Sequence, residues 1–265
     1  MSPVLKSIVS AENPRYRQLV KLVQSSRERR KSGLSVLDGI HLAAAYREHV
    51  GVPAELFVSH AAQADPEVVR LLAQCTACAP LQLSDALFAQ ISTVQTPTGV
   101  MAIVPTPLVA PPPPDAAFVV LLEDIQDPGN LGSILRSAAA AGIAHVCLSP
   151  HAVHAWSPRV LRAAMGAHFM LAIHEGVDLE AYARAFQGRV VGASHTAART
   201  IYETDLTGPV ALAFGNEGSG LSAALRAGVH DVASIPMPGP VESLNVAAAA
   251  AVCLFERVRQ MRVRA

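Results

Sequence analysis

Ala117-Phe-Val-Val-Leu-Leu-Glu123, followed almost at once by Asp127-Pro-Gly-Asn-Leu-Gly-Ser-Ile-Leu-Arg136, decides how this chain is read. The first run is apolar and strand-like, and the second opens into an alanine-rich helical pattern. Polar Asn130 and charged Arg136 therefore occupy the loop after a strand and the first turns of the next helix. That is where α/β proteins present their chemistry. Two later stretches of the same half have a similar setting: Phe214-Gly-Asn-Glu-Gly-Ser-Gly-Leu221 and Ile235-Pro-Met-Pro-Gly-Pro-Val-Glu-Ser-Leu-Asn-Val246.

Around these stretches the pattern alternates. Strand-like runs at 117–123, 145–149, 190–193, 210–214 and 232–235 are separated by helical segments near 132–141, 157–165, 178–186, 220–228 and 243–262. Near-continuous apolar strands with helices between them predict a parallel sheet covered on both faces. In the last helix Leu244, Ala248, Ala251, Leu254, Val258 and Met261 form an expected apolar stripe, longer than one small sheet needs. Either a self-complementary two-fold contact buries the surplus, making a homodimer, or the helix simply covers its own sheet. Trp156, Ser157 and Arg159 are candidates to reach a neighbouring subunit's pocket.

Upstream, Pro105-Thr-Pro-Leu-Val-Ala-Pro-Pro-Pro-Pro114 places six prolines in ten residues, which no helix or interior strand tolerates. The chain thus reads as a domain at 1–104, a linker at 105–115 and a second domain at 116–265. The first domain alternates as well. A helix starts at Asn13-Pro14, strands fall at 34–37, 55–59 and 99–104, and helices lie near 39–49, 66–75 and 84–91. Both domains are of the α/β class.

Of the 265 residues, 51% are hydrophobic and 16% charged, ample for a core and unlike a disordered chain. The longest apolar run, 246–255, is too short to span a membrane, and no signal peptide pattern opens the chain. Four cysteines do not make a disulfide framework, so a soluble cytoplasmic protein is expected. Net charge is zero, yet residues 1–35 hold eight Lys and Arg against two acids. Arg15, Arg17, Lys21, Arg27, Arg29, Arg30 and Lys31 are the candidate phosphate contacts to a polyanion, a solvated helix face being the plainer reading.

Several chemistries are excluded. There is no P-loop, no Gly-x-Ser-x-Gly elbow and no His-Glu-x-x-His. Gly215, Gly218 and Gly220 run Gly-x-x-Gly-x-Gly, the reverse of the dinucleotide fingerprint, and follow a late strand. Cys75 and Cys78 lack a second pair and read as packing, and no metal site is expected. Glycines 215, 218 and 220 bare the backbone for close approach of a flat ligand, or simply make a strand-to-helix turn. Ser243 suits the N-cap of the last helix, a fully structural role, with Asn245 in its first turn.

The three stretches together resemble the SpoU (TrmH-like) family of RNA ribose 2′-O-methyltransferases. Asn-x-Gly-x-x-x-Arg is matched by Asn130, Gly132 and Arg136, and Gly-x-Glu-Gly-x-Gly by Gly215, Glu217, Gly218 and Gly220. The third motif, Ile-Pro-Met followed by Ser-Leu-Asn-Val, is matched at 235–237 and 243–246. The resemblance covers the whole C-terminal half. It implies a deep trefoil knot, S-adenosylmethionine as cofactor, an L30e-like substrate-binding domain in front, and a homodimer formed through the knotted domain. It also implies cofactor contacts at Gly215, Asn216, Gly218, Ile235, Met237 and Leu244, largely through the backbone. Arg136, Asn130, Glu217, Ser243 and Asn245 become the catalytic candidates, with Asn130 positioning the arginine or the ribose. The family's usual assignment makes Arg136 a general base. A guanidinium stays protonated, so phosphate binding and stabilisation of charge on the 2′-oxygen suit it better. The expected partner is ribosomal RNA of the large subunit, with transfer RNA second. A base methyltransferase and a non-catalytic RNA-binding protein of the same fold are the rival readings.

Overall fold

The computed structural model describes residues 5–94 and 96–264, the side chain of Arg264 excepted. The chain divides into two compact units: Met1–Leu108 with Trp156–Phe169, and Val109–Ala155 with Met170–Ala265. Among the described residues, no helix is long and apolar enough to cross a membrane.

The first unit holds a five-stranded sheet of β1 (Lys6–Ile8), β2 (Leu34–Asp38), β3 (Glu55–Ser59), β4 (Leu81–Leu83) and β5 (Val100–Pro105), in the order β1-β4-β3-β5-β2. β5 runs antiparallel to both neighbours, and the other pairings are parallel. Strands β2, β3 and β5 lie within a residue of their expected places. β1 and β4, three residues each, are too short to show an alternation and escape sequence reading. Helices α1 (Pro14–Gln24), α2 (Ser26–Ser32), α3 (Ile40–His49), α4 (Pro66–Gln74) and α5 (Asp85–Ile91) complete the layers. Asn13 caps α1 through Arg15 N, with Pro14 in the first turn. Ser25 adopts an extended conformation, ends α1 and caps α2 through Glu28 N. Tyr16, Leu19 and Leu22 of α1 pack with Phe57, Met101 and Ile103 of the sheet. Cys75 and Cys78 are free and buried.

The kink at Ser25 corrects one expectation. Arg29, a candidate phosphate contact, is only 5% exposed, and its Nη1 donates to Leu22 O at 2.6 Å and Val23 O at 3.1 Å. It satisfies carbonyls at the end of α1 that would otherwise lack partners, and its charge suits that end of the helix dipole. Arg29 is therefore part of the fold rather than of an exposed patch.

The segment Trp156–Phe169 also belongs to the first unit. Its helix packs on β2, and Arg162 Nη1 donates to Thr93 Oγ1 at 2.9 Å. Thr93 in turn donates through N and Oγ1 to buried Asp38. Trp156, expected at a subunit boundary, is 4% exposed and packs edge-on against His168, while Ser157 caps the helix through Val160 N. Only Arg159 of that trio is exposed.

The second unit is built on six strands: β6 (Phe118–Leu122), β7 (His145–Leu148), β8 (Ala172–His174), β9 (Arg189–Ala193), β10 (Val210–Phe214) and β11 (Asp231–Ala233). Their order is β11-β9-β10-β6-β7-β8, and every pairing is parallel. The α/β class and the parallel sheet are as expected. β8, at Ala172–His174, was not expected. The helices are α6 (Pro128–Ala140), α7 (Pro158–Ala164, assigned above to the first unit), α8 (Leu179–Ala185), α9 (Ala223–Gly228) and α10 (Val246–Arg264). The proline-rich run is irregular after β5, and its end is tied down: Pro113 O accepts from Tyr182 Oη at 2.8 Å and Pro114 O from Gln187 N at 2.7 Å.

Two expectations about α10 change. Ala247, Ala250, Cys253 and Leu254 are its buried side, so of the expected stripe only Leu254 is fully buried, while Leu244, Ala248 and Met261 are exposed. Asn245, not Ser243, is the capping residue: its Oδ1 accepts from Ala247 N at 2.9 Å and its carbonyl from Ala249 N. Asn at this position satisfies the open end of the helix as well as Ser would.

Replacing Arg29 by Ala leaves the α1 carbonyls unpaired in a buried site and should cost about 2 kcal/mol in urea unfolding. Arg27→Ala, at an exposed position, should stay within about 0.5 kcal/mol of the parent. Equal small effects would show that the Arg29 contacts do not hold α1 against α2.

Candidate active site

Strand ends and helix starts converge beyond the carboxyl edge of the parallel sheet. Asp127 closes the loop after β6 by capping α6 through Asn130 N at 2.8 Å. This starts the helix four residues earlier than expected and puts Asn130 in its first turn. The Asn130 side chain then works in both directions. Nδ2 donates to Glu217 Oε1 at 3.0 Å, and Oδ1 accepts from Asn245 Nδ2 at 2.9 Å. Three candidates separated by 87 and 115 residues are thus joined through one amide.

Glu217 receives further donors from the backbone N–H groups of Asp127 at 3.3 Å and Gln126 at 3.4 Å. Burial raises its carboxyl, but the Asn130 amide and surrounding backbone N–H groups outweigh this and hold it below the ordinary value. Glu217 is therefore an ionised anchor at neutral pH. Its neighbour Asn216 folds the glycine loop on itself: Oδ1 accepts from Gly218 N at 2.9 Å and Ser219 N at 3.2 Å, and Nδ2 donates to Asp124 O. A Cβ on Gly215 would lie 2.1–2.2 Å from backbone atoms of Gly220 and Leu221, so only glycine permits that closure.

Beside this network lies a cavity of about 580 Å³ at the carboxyl ends of β9, β10 and β11. Gly215, Asn216, Gly218, Ile235, Met237 and Leu244 all line it, as do Glu217 and Ser243. The volume suits a nucleoside-sized ligand. Leu221, Ile235, Leu244 and Val246 supply apolar walls. From Ile235 to Leu244 no backbone group forms a backbone hydrogen bond among the described residues, leaving N–H and C=O groups free for a ligand's polar edges. The residues present fit S-adenosylmethionine. Asn216 would meet it only through its backbone, since its side chain is spent on the loop.

Arg136 stands apart. It is exposed on α6 and has no hydrogen bond or ion pair among the described residues. It does not line the cavity, and it is about 9 Å along the helix axis from Asn130. The expectation that Asn130 positions this arginine is replaced by the amide bridge to Glu217 and Asn245. Sequence reading also missed Ser194, His195, Thr196, Arg226 and Glu242, which line the same cavity. The place of 194–196 directly after β9 was the available signal.

In the first unit Arg17 and Lys21, one helical turn apart, line a groove of about 400 Å³ between α1 and α2. Arg17 pairs with Glu12 at 3.3 Å and Arg15 with Glu55 at 3.6 Å, and Arg27, Arg30 and Lys31 are exposed as well.

The model of the SpoU rRNA Methylase family matches residues 117–255, and that of the MRM3-like substrate binding domain matches 13–102. An uncharacterized tRNA/rRNA methyltransferase of Synechocystis is 36% identical over 97% of this chain and 94% of its own. The Bacillus subtilis 23S rRNA (guanosine(2553)-2′-O)-methyltransferase RlmP is 30% identical over 95% of this chain and 98% of its own. Among solved structures, the SpoU methyltransferase AviRb of Streptomyces viridochromogenes in complex with AdoMet matches at a TM-score of 0.84 and 28% identity, covering 95% and 99% of the two chains. The AdoMet-bound rRNA methyltransferase of Sinorhizobium meliloti matches at 0.81 and 26%, covering 97% and 98%. The parallel sheet is typical of the knotted SPOUT fold these proteins share. This chain belongs to the SpoU rRNA methylase family, the S-adenosylmethionine-dependent RNA methyltransferases of the SPOUT superfamily, and carries a substrate-binding domain in front of the methylase domain.

Proposed function

We propose that this protein methylates a ribose 2′-hydroxyl of large-subunit ribosomal RNA, with the catalytic and binding residues named above. The observation that carries the reading is the Glu217–Asn130–Asn245 bridge beside a cavity walled by unpaired backbone. The relative RlmP, a 23S rRNA 2′-O-methyltransferase, supports the choice of RNA. A ribosomal RNA substrate implies a cytoplasmic place of work.

When bound, S-adenosylmethionine would supply an activated methyl on its sulfonium for the 2′-oxygen, the sulfur keeping the bonding pair as the methyl leaves. The chain's task is alignment and charge. Asn130 ties the loop that carries Glu217 to the start of α10, so the cavity rim keeps one shape. Glu217 is held ionised by its donors and serves as an anchor, not as a store for the hydroxyl proton, which leaves to solvent. Arg136, free of protein partners among the described residues, offers its guanidinium to the phosphate beside the target ribose. There it stabilises negative charge developing on the 2′-oxygen.

The basic patch is Arg17, Lys21, Arg27, Arg30 and Lys31 with Arg15, and Arg15 and Arg17 are weaker because Glu55 and Glu12 compete for them. The working unit is a homodimer. Its support is the exposed side of α10, where Phe255 remains 47% exposed alongside exposed Ala248.

Arg136→Ala should lower the methylation rate about 100-fold or more while cofactor affinity measured by calorimetry is retained. A variant keeping most of its rate removes Arg136 from the chemistry. Replacing Arg27, Arg30 and Lys31 together by Ala should reduce the slope of log affinity against log salt by about 2–3. An unchanged slope would reject the patch. Light scattering at micromolar concentration should give twice the chain mass, and Phe255→Glu should shift it toward the monomer. A fully active monomer would refute the dimer. Mapping 2′-O-methyl sites in cells with and without the protein identifies the nucleotide, and a methyl found on a base or on transfer RNA overturns the assigned substrate.

A further inference from the structure

The cavity carries a charge pattern that the motifs leave unexplained. Arg226 is its one Lys or Arg, and Glu217 and Glu242 are its two acids. Glu217 is committed to Asn130 and to the N–H groups before α6. Glu242 makes no hydrogen bond or ion pair among the described residues. Beyond the committed Glu217, one guanidinium and one unpaired carboxylate among the described residues therefore face a cavity whose remaining walls are glycine, apolar side chains, hydroxyls, the Asn216 amide and the His195 imidazole.

Arg226 is presented by construction. Ser222 caps α9 through Leu225 N at 3.1 Å, and Leu225 is fully buried, which turns the next residue outward. Its Nη2 donates to Ser194 Oγ at 2.9 Å, and Ser194 shares a 3.0 Å hydrogen bond with Thr196 Oγ1. Among the described residues, that is one N–H used of the five a guanidinium carries, so a two-pronged acceptor can still be met. No carboxylate competes for it in an ion pair among the described residues.

We propose that Arg226 and Glu242 clamp the α-amino-acid end of S-adenosylmethionine, Arg226 binding its carboxylate and Glu242 its ammonium. The proposal rests on the methyltransferase reading above. It completes a division of labour within the cavity. The nucleoside is met by backbone and apolar walls, which are indifferent to charge, whereas a zwitterion leaving water needs charged partners. The clamp also gives the cavity a means of distinguishing the intact cofactor from adenosine-like ligands that lack an amino-acid tail. The competing occupant of Arg226 is an RNA phosphate.

Calorimetry with three ligands tests this: S-adenosylmethionine, decarboxylated S-adenosylmethionine, and 5′-methylthioadenosine, which lacks both charged groups. The parent should bind the intact cofactor about tenfold more tightly than the decarboxylated form. Arg226→Met should erase that difference and leave methylthioadenosine binding unchanged, and Arg226→Lys should restore part of it. Glu242→Gln should weaken both amine-bearing ligands relative to methylthioadenosine. An Arg226→Met protein that loses affinity for all three ligands alike, or for none, overturns the clamp. Loss of RNA affinity with cofactor binding intact assigns Arg226 to the phosphate instead and overturns it equally. A parent protein that binds neither the cofactor nor methylthioadenosine overturns the methyltransferase reading itself, and the clamp with it.

Discussion

The side-chain amide of Asn130 is the constraint on which the rest of the site depends. It donates to Glu217 and accepts from Asn245, and an amide is the one short side chain that does both from a fixed plane. An aspartate there would face the Glu217 carboxylate with a second negative charge. Around this amide the ends of several elements are satisfied by neighbouring side chains. Asp127 caps α6, Asn245 caps α10, and the N–H groups preceding α6 point at Glu217. α6 and α10 pack together with their amino ends near the same spot, so the anion at position 217 also meets the positive ends of their dipoles. Local capping and long-range assembly are thereby accomplished by the same few bonds.

The segment from Ile235 to Leu244 illustrates the opposite strategy. Ser234 is fixed by Arg199 and Ile201, and Asn245 by the cap of α10, yet nothing between them enters a backbone hydrogen bond among the described residues. Prolines at 236, 238 and 240 remove donors and limit the shapes the segment can take. The result is an edge stiff enough to hold its form and still rich in unpaired carbonyls. Recognition by such an edge depends on the path of the backbone more than on side-chain identity.

Much of this was legible in the sequence because the elements are long and their punctuation is strong. The runs at 118–122 and 210–214 could hardly be anything but buried strands, and the proline run marks where one unit gives way to the other. Three-residue strands such as β1, β4 and β8 carry too little pattern, since their pairing is decided by neighbours distant in sequence. The phase of α10 was misread because alanine populates both of its faces, which leaves periodicity nothing to choose between. Arg29 was misread for a related reason. Composition reports a charge, but only the bend at Ser25 decides which way that charge points. The cavity-lining 194–196 sits on no motif glycine or proline and is recognised as part of the site only once β9 is placed between β11 and β10.

The place of Trp156–Phe169 within the first unit has a bearing on how the protein is born. A ribosome delivers the chain from its amino end, and domains generally fold in that order as they emerge. Here the earliest unit is still missing a piece after residue 108 has appeared. α7, one of the helices packed on β2, appears only after β6, α6 and β7 have also been synthesised. Nascent β2 must therefore remain without its α7 neighbour for about fifty further residues of translation. The two units are interleaved in time as well as in sequence, and neither is complete before the other has begun.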